Sequence, residues 1–110
     1  MIYLDTSVAL AQLLGEDRRP PARLWEEPLV SSRLLEYEVW NRVHARKLAR
    51  RDHEEVTALL EQVSLVELSP AVLERALQPF PSPVRTLDAL HLATLDFLLR
   101  NGRPVRLASY

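Results

Sequence analysis

The chain has no cysteine and only two glycines, Gly15 and Gly102. Without cysteine there are no disulfides, thiolate zinc sites or cysteine nucleophiles, a composition that suits a cytoplasmic protein. With so few glycines there is no glycine-rich phosphate loop, which removes the nucleotide-binding folds built on one. Long hydrophobic runs are missing too. The first apolar stretch, Val8 to Ala11, is interrupted by Gln12 before Leu13 and Leu14. It is too short for a membrane span, and no basic region precedes it. Neither sign of charge dominates: a formal net charge of −1 exerts little pull on nucleic acid, so any such pull comes from a local patch. What is present is 47% hydrophobic and 26% charged over 110 residues, one domain with material for a sizeable core.

The organising stretch is the start. Ile2, Tyr3 and Leu4 are strand-formers, and Asp5, Thr6 and Ser7 are helix-capping types ahead of a helical run from Val8 to Leu14. A buried strand ending on an acid and turning into a helix is the front half of a parallel βα unit. Ligands of open α/β sheets sit beyond the carboxyl ends of the strands, where Asp5 would stand.

Further along, Gly15 predicts a helix stop, and a polar, proline-containing connection runs through Pro21. Residues 22–27 suit a helical turn or two, and Leu29–Ser31 a second strand. Ser32 reads as the N-cap of the longest helix, Arg33 to about Ala49. A stripe of Leu34, Glu38, Asn41, Ala45 and Leu48 predicts that Glu38 shares an inward face, with Glu36 rotated away. Asp52 and Glu55 suit a capping pair for a helix from His53 to Val63. Leu65–Leu68 reads as a third strand, and Ser69-Pro70 opens a short helix to Leu77. The prolines at 79, 81 and 83 require a loop. Thr86 begins a helix from Leu87 to Arg100, apolar nearly all round and so expected to be mostly buried, with Asn101-Gly102 as its stop. Residues 104–109 predict a fourth strand. The order βα, βαα, βαα, β predicts a mainly parallel four-stranded sheet with helices on both faces, a three-layer α/β/α architecture.

Asp5, Glu38 and Asp88 each fall at a strand end or in the first turns of a helix expected after a strand. In a right-handed parallel sheet such positions share one rim. Three carboxylates there repel unless a divalent cation neutralises them, and oxygen ligands favour Mg²⁺ or Mn²⁺. Three blocks then resemble the signature of PIN-domain ribonucleases, VapC-type toxins of toxin–antitoxin pairs above all. They are Tyr3-Leu4-Asp5-Thr6-Ser7, Ser32 with Glu38 six residues on, and Arg85-Thr86-Leu87-Asp88-Ala89-Leu90-His91-Leu92-Ala93. The resemblance implies an α/β/α PIN-like fold, Mg²⁺- or Mn²⁺-dependent cleavage of RNA and neutralisation by a cognate antitoxin, and a homodimer is expected. Carried over by motif, Asp5, Glu38 and Asp88 are the metal-binding acids. Thr6 or Ser7 hydrogen-bonds near the metal or the phosphate.

The resemblance has one large departure. Family members place a fourth acid after the block that here reads Leu107-Ala108-Ser109-Tyr110, then continue with a helix and often a last strand. That acid is absent, supplied by another chain, or lost in a C-terminal shortening, the expectation favoured here. Asp96 does not replace it: eight residues beyond Asp88, it lies about 80° around the helix and about 12 Å along it. The alternative function is therefore a catalytically impaired PIN fold that binds an antitoxin or dimerises. His91 is read as a satisfied core histidine, and Trp25, Tyr37 and Trp40 as core or interface residues. Arg42, Arg46 and Arg50, spaced by four, form either a solvated face or a basic stripe for RNA or an acidic antitoxin segment. A phosphatase of the haloacid dehalogenase type would need an acid at position 7, which is Ser. A phospho-receiver domain would need a late lysine, and the only lysine is Lys47.

Overall fold

The structure is a computed structural model and describes residues 1–15 and 18–110. Strand β1 (Ile2–Leu4) leads into helix α1 (Thr6–Leu14), which begins two residues earlier than expected because Asp5 caps it. Gly15 closes α1 at φ 62°, a left-handed conformation that costs glycine nothing. Residues 16–17 of the connection expected before Pro21 lie outside the described residues. After a 3₁₀ turn at Ala22–Glu26 come β2 (Leu29–Ser32), α2 (Leu34–Ala45), α3 (Ala49–Glu61), β3 (Val63–Val66), α4 (Pro70–Ala76), α5 (Thr86–Arg100) and β4 (Arg106–Ala108).

The strands form one sheet in the order β3-β2-β1-β4, and every pairing is parallel, as the βα pattern requires. Ile2 stands opposite both Leu29 and Arg106, and Leu29 opposite Val63. Side chains alternate between the faces. Leu4 and Leu29 enter the larger core with Val8, Leu35, Val39, Val43 and Val56 from α1, α2 and α3. Tyr3 and Val30 enter a smaller core with Leu98 of α5. Helix α4 packs on α5, which completes the three-layer α/β/α fold.

Several boundaries differ from those expected. The long helix 33–49 is two helices. α2 ends in a Schellman turn, with Lys47 N–H bonded to His44 O (2.9 Å) and Leu48 N–H to Val43 O (3.0 Å). Lys47 takes the left-handed position at φ 58°, where glycine is usual, so no residue type announces the break. α3 consequently starts at Ala49, and Asp52 and Glu55 do not cap it. Asp52 lies buried in its first turn with its carboxylate on Arg51. The buried residues of α2 are Leu34, which the expected stripe included, and Leu35, Val39 and Val43, while Asn41 and Ala45 face solvent. Glu38 therefore sits at the border of the buried face, not in its middle. β3 begins at Val63 instead of Leu65, because Val63 pairs with Leu29 as soon as the chain leaves α3. α5 is buried on one side only: Leu87 and Leu99 remain 44% and 50% exposed, since the sheet and α4 cover a single face. Ser32 belongs to β2, yet its hydroxyl accepts from Leu34 N–H at 3.1 Å, the capping bond expected of it.

Candidate functional site

At the carboxyl end of β1, Asp5 takes extended backbone angles and caps α1. Its N–H donates to Ala108 O (3.0 Å), which ties the end of β1 to β4. Its Oδ2 accepts from Ser7 N–H (3.4 Å), the Ser7 hydroxyl and the Ser109 hydroxyl (3.1 Å). Oδ1 makes no hydrogen bond among the described residues.

Glu38 lies just over one turn into α2, which follows the carboxyl end of β2. Its Oε1 accepts from the Thr6 hydroxyl (2.7 Å) and faces His91 Nε2 (2.6 Å). Its Oε2 is without a hydrogen bond among the described residues. Thr6 and Ser7, expected near a metal or phosphate, thus bind the two acids themselves, each adjacent hydroxyl serving a different carboxylate.

Asp88 stands exposed in the first turn of α5, where the helix dipole favours an anion. It makes no hydrogen bond or ion pair among the described residues. Asp5 and Asp88 line the same cleft of about 380 Å³, together with Tyr3, His91, Leu95, Ser109 and Tyr110. Glu38 adjoins it through its contacts to Thr6 and His91. The three expected acids therefore arrive in one neighbourhood. Among the described residues, however, no three His, Asp or Glu side chains are gathered closely enough to hold an ion by themselves.

Electrostatics distinguish these acids. Among the described residues no arginine or lysine pairs with Asp5, Glu38 or Asp88. Oxygen-only donors that no arginine or lysine occupies fit a hard divalent cation in chemical kind. Such ions keep several waters and need only one or two direct carboxylates, so wide spacing of the acids is compatible with a hydrated ion. Asp96 is committed elsewhere, to Arg75 (3.0 Å) and Arg100 (2.8 Å).

Reading the residues in isolation missed the partners that hold the acids. His91 is buried and satisfied, as expected, but it does more than fill the core. Its Nδ1 lies 2.8 Å from the Tyr3 hydroxyl and its Nε2 contacts Glu38. Burial pushes the Tyr3 phenol up to about 12, so it stays protonated as a hydrogen-bond donor. The available signal was spacing: His91 is three residues after Asp88 and lies on a neighbouring helix face. Ser109 and Tyr110 reach the cleft only because β4 pairs with β1. Arg18 stacks on the Tyr110 ring at 4.7 Å, setting a guanidinium beside the cleft. The expected basic stripe is divided. Arg42 lies on α2, Arg46 at its C-cap and Arg50 on α3, all exposed, and Arg46 is about 12 Å along the helix from Glu38. Trp25 and Trp40 pack against the larger core, whereas Tyr37 is 63% exposed. No helix among the described residues is long and apolar enough to cross a membrane.

A parallel α/β/α domain whose rim carboxylates, among the described residues, have no arginine or lysine partner belongs to the class that binds ligands beyond its strand ends. The family model of the PIN domain matches residues 2–96, and the chain belongs to the PIN domain family. PIN domains are generally nucleases and typically use divalent metals. No curated protein matches the chain significantly.

Proposed function

We propose that this PIN domain is a metal-dependent endoribonuclease that hydrolyses RNA phosphodiester bonds, with Asp5, Glu38 and Asp88 as its cation-holding acids. The observation that carries this reading is charge: three acids at one rim lack any arginine or lysine partner among the described residues. Mg²⁺ or Mn²⁺ held there supplies Lewis-acid polarisation of the phosphodiester and acidifies a water. Asp5 and Glu38 each keep one oxygen for that task, because hydrogen bonds occupy the other. Ser7 and Ser109 orient Asp5, and Thr6 orients Glu38. The aromatic face of Tyr110 and the Arg18 guanidinium border the cleft and suit a base and a phosphate respectively. Arg42, Arg46 and Arg50 contribute weaker, non-specific attraction.

The finer assignment follows from the three motif blocks: a VapC-type toxin, cytoplasmic, homodimeric and neutralised by a cognate antitoxin. The test compares RNA cleavage by this chain and by Asp5→Asn with Mg²⁺ or Mn²⁺. Cleavage by the former and none by the latter supports the enzyme.

A second reading is an impaired PIN fold that serves as a binding module. That no tight three-acid cluster is gathered among the described residues favours it. So does an apolar groove of about 720 Å³ between α4, the 79–84 loop and α5. Absence of cleavage by either protein, together with tight binding of a helical antitoxin peptide, supports that reading.

A further inference from the structure

Glu38 could reach the rim without any help from α5. Its side chain starts on α2 and its hydroxyl partner, Thr6, is on α1. Yet a buried imidazole from α5 presses on the same oxygen at 2.6 Å, and a buried phenol from β1 holds that imidazole from behind. A carboxylate cannot donate, so the proton between His91 and Glu38 sits on Nε2. The neutral Tyr3 hydroxyl then donates to Nδ1, and both ring nitrogens are used. The edge-on approach of the Tyr3 and His91 rings, 87° apart in plane, leaves the imidazole one orientation. With Oε1 taking both Thr6 and His91, only Oε2 remains for a ligand.

We infer that His91 is a positioning residue: through Tyr3-His91-Glu38 it fixes Glu38 so that the acid meets a divalent cation through the single oxygen Oε2. The inference rests on the proposed role of Glu38 as a cation ligand. The arrangement is the carboxylate counterpart of the outer hydrogen bonds that orient metal ligands generally. It also accounts for a buried histidine that packing alone does not require, since an apolar side chain would fill the same space without needing two partners.

The test uses the whole chain and Mn²⁺ alone, with free Mn²⁺ followed by electron paramagnetic resonance. His91→Asn keeps a polar group near Tyr3 but withdraws the donor from Glu38, and about 10- to 100-fold weaker Mn²⁺ binding is expected. His91→Gln carries an amide N–H to the place of Nε2 and restores most of the affinity. In a Glu38→Gln background, His91→Asn causes no further loss. Nitrogen-15 spectra of the unaltered protein show the Nε2-protonated tautomer, a readout that does not depend on any variant folding. Wild-type affinity in folded His91→Asn, failure of a folded His91→Gln to restore binding, or an Nδ1-protonated ring overturns the inference. If Glu38→Gln itself binds Mn²⁺ as tightly as wild type, the cation role of Glu38 fails and the inference with it. If Glu38→Gln weakens binding and His91→Asn does not, only the role of His91 falls.

Discussion

The acids of this chain divide into two populations. Away from the rim, Glu36 and Glu67 share Arg33, Asp52 holds Arg51, and Asp96 lies between Arg75 and Arg100. At the rim, Asp5 is held by serine hydroxyls and a backbone N–H, Glu38 by a threonine and an imidazole, and Asp88 has no partner among the described residues. The first population is neutralised within the fold. In the second, hydrogen bonds orient Asp5 and Glu38, and among the described residues no arginine or lysine neutralises any of the three, so their charge remains available to something from outside. Hydrogen bonds from hydroxyls fix a carboxylate in direction without cancelling its field, whereas a guanidinium does both.

The largest effect expected from this contrast is on catalysis. Glu38→Gln and Asp88→Asn each lower metal-dependent RNA cleavage by on the order of 100-fold or more. Asp96→Asn and Glu67→Gln leave it unchanged. Cleavage assays on the four variants check this, and equal losses across both groups would erase the distinction. Without metal, Asp88→Asn is expected to be no less stable than wild type in urea melts, because it removes a charge that has no partner among the described residues.

A second effect concerns the neutral groups that hold the rim. The Tyr3 phenol is raised by burial from 10 to about 12. A raised folded value means that the stabilisation is complete below pH 10 and disappears as pH climbs through 12. Relative to Tyr3→Phe, the wild-type protein should lose roughly 2–3 kcal/mol of stability over that interval. Alkaline urea titrations of both proteins measure the difference, and parallel curves would show that Tyr3 ionises freely.

The smallest effects belong to the paired acids. Asp96→Asn costs at most about 1 kcal/mol, as is usual for partly exposed ion pairs, and the loss shrinks in high salt. Asp52 is held below its ordinary 3.8 first by its hydrogen bonds to Arg51, against a raising effect of burial. Its contribution is therefore present above pH 3.8 and is lost as pH falls through the lower folded value. Acid melts of wild type and Asp52→Asn should converge below that value; curves that stay apart would show the pair to be idle.

The two helix ends show why part of the fold was legible and part was not. α5 stops with Gly102 at φ 76°, bonded N–H to Leu99 O, and Arg103 N–H to Leu98 O. α2 stops with the same hydrogen bonds around Lys47. Glycine announces the left-handed turn because it lacks the Cβ that makes such a turn costly. Lysine does not, and there the end of α2 is set by tertiary fit, with Leu48 packing against the larger core. The missed break shifted the start of α3 and divided the arginine stripe. The candidate site was legible in the same uneven way. Asp5 and Asp88 were visible as acids at helix starts, while Ser109 reaches Asp5 from 104 positions away and His91 reaches Glu38 from 53.

Strand-ending acids, capping residues and apolar alternation act over a few neighbouring positions, so the chain by itself determined the parallel α/β/α plan and which carboxylates would face its rim. Their hydrogen bonds join residues distant in sequence: Ser109 to Asp5 across β1 and β4, and His91 to Glu38 across α5 and α2. Only packing the helices on the sheet decides which oxygen of each acid is taken and which is left open, because such a contact depends on ångström-scale placement of elements that local preferences do not control.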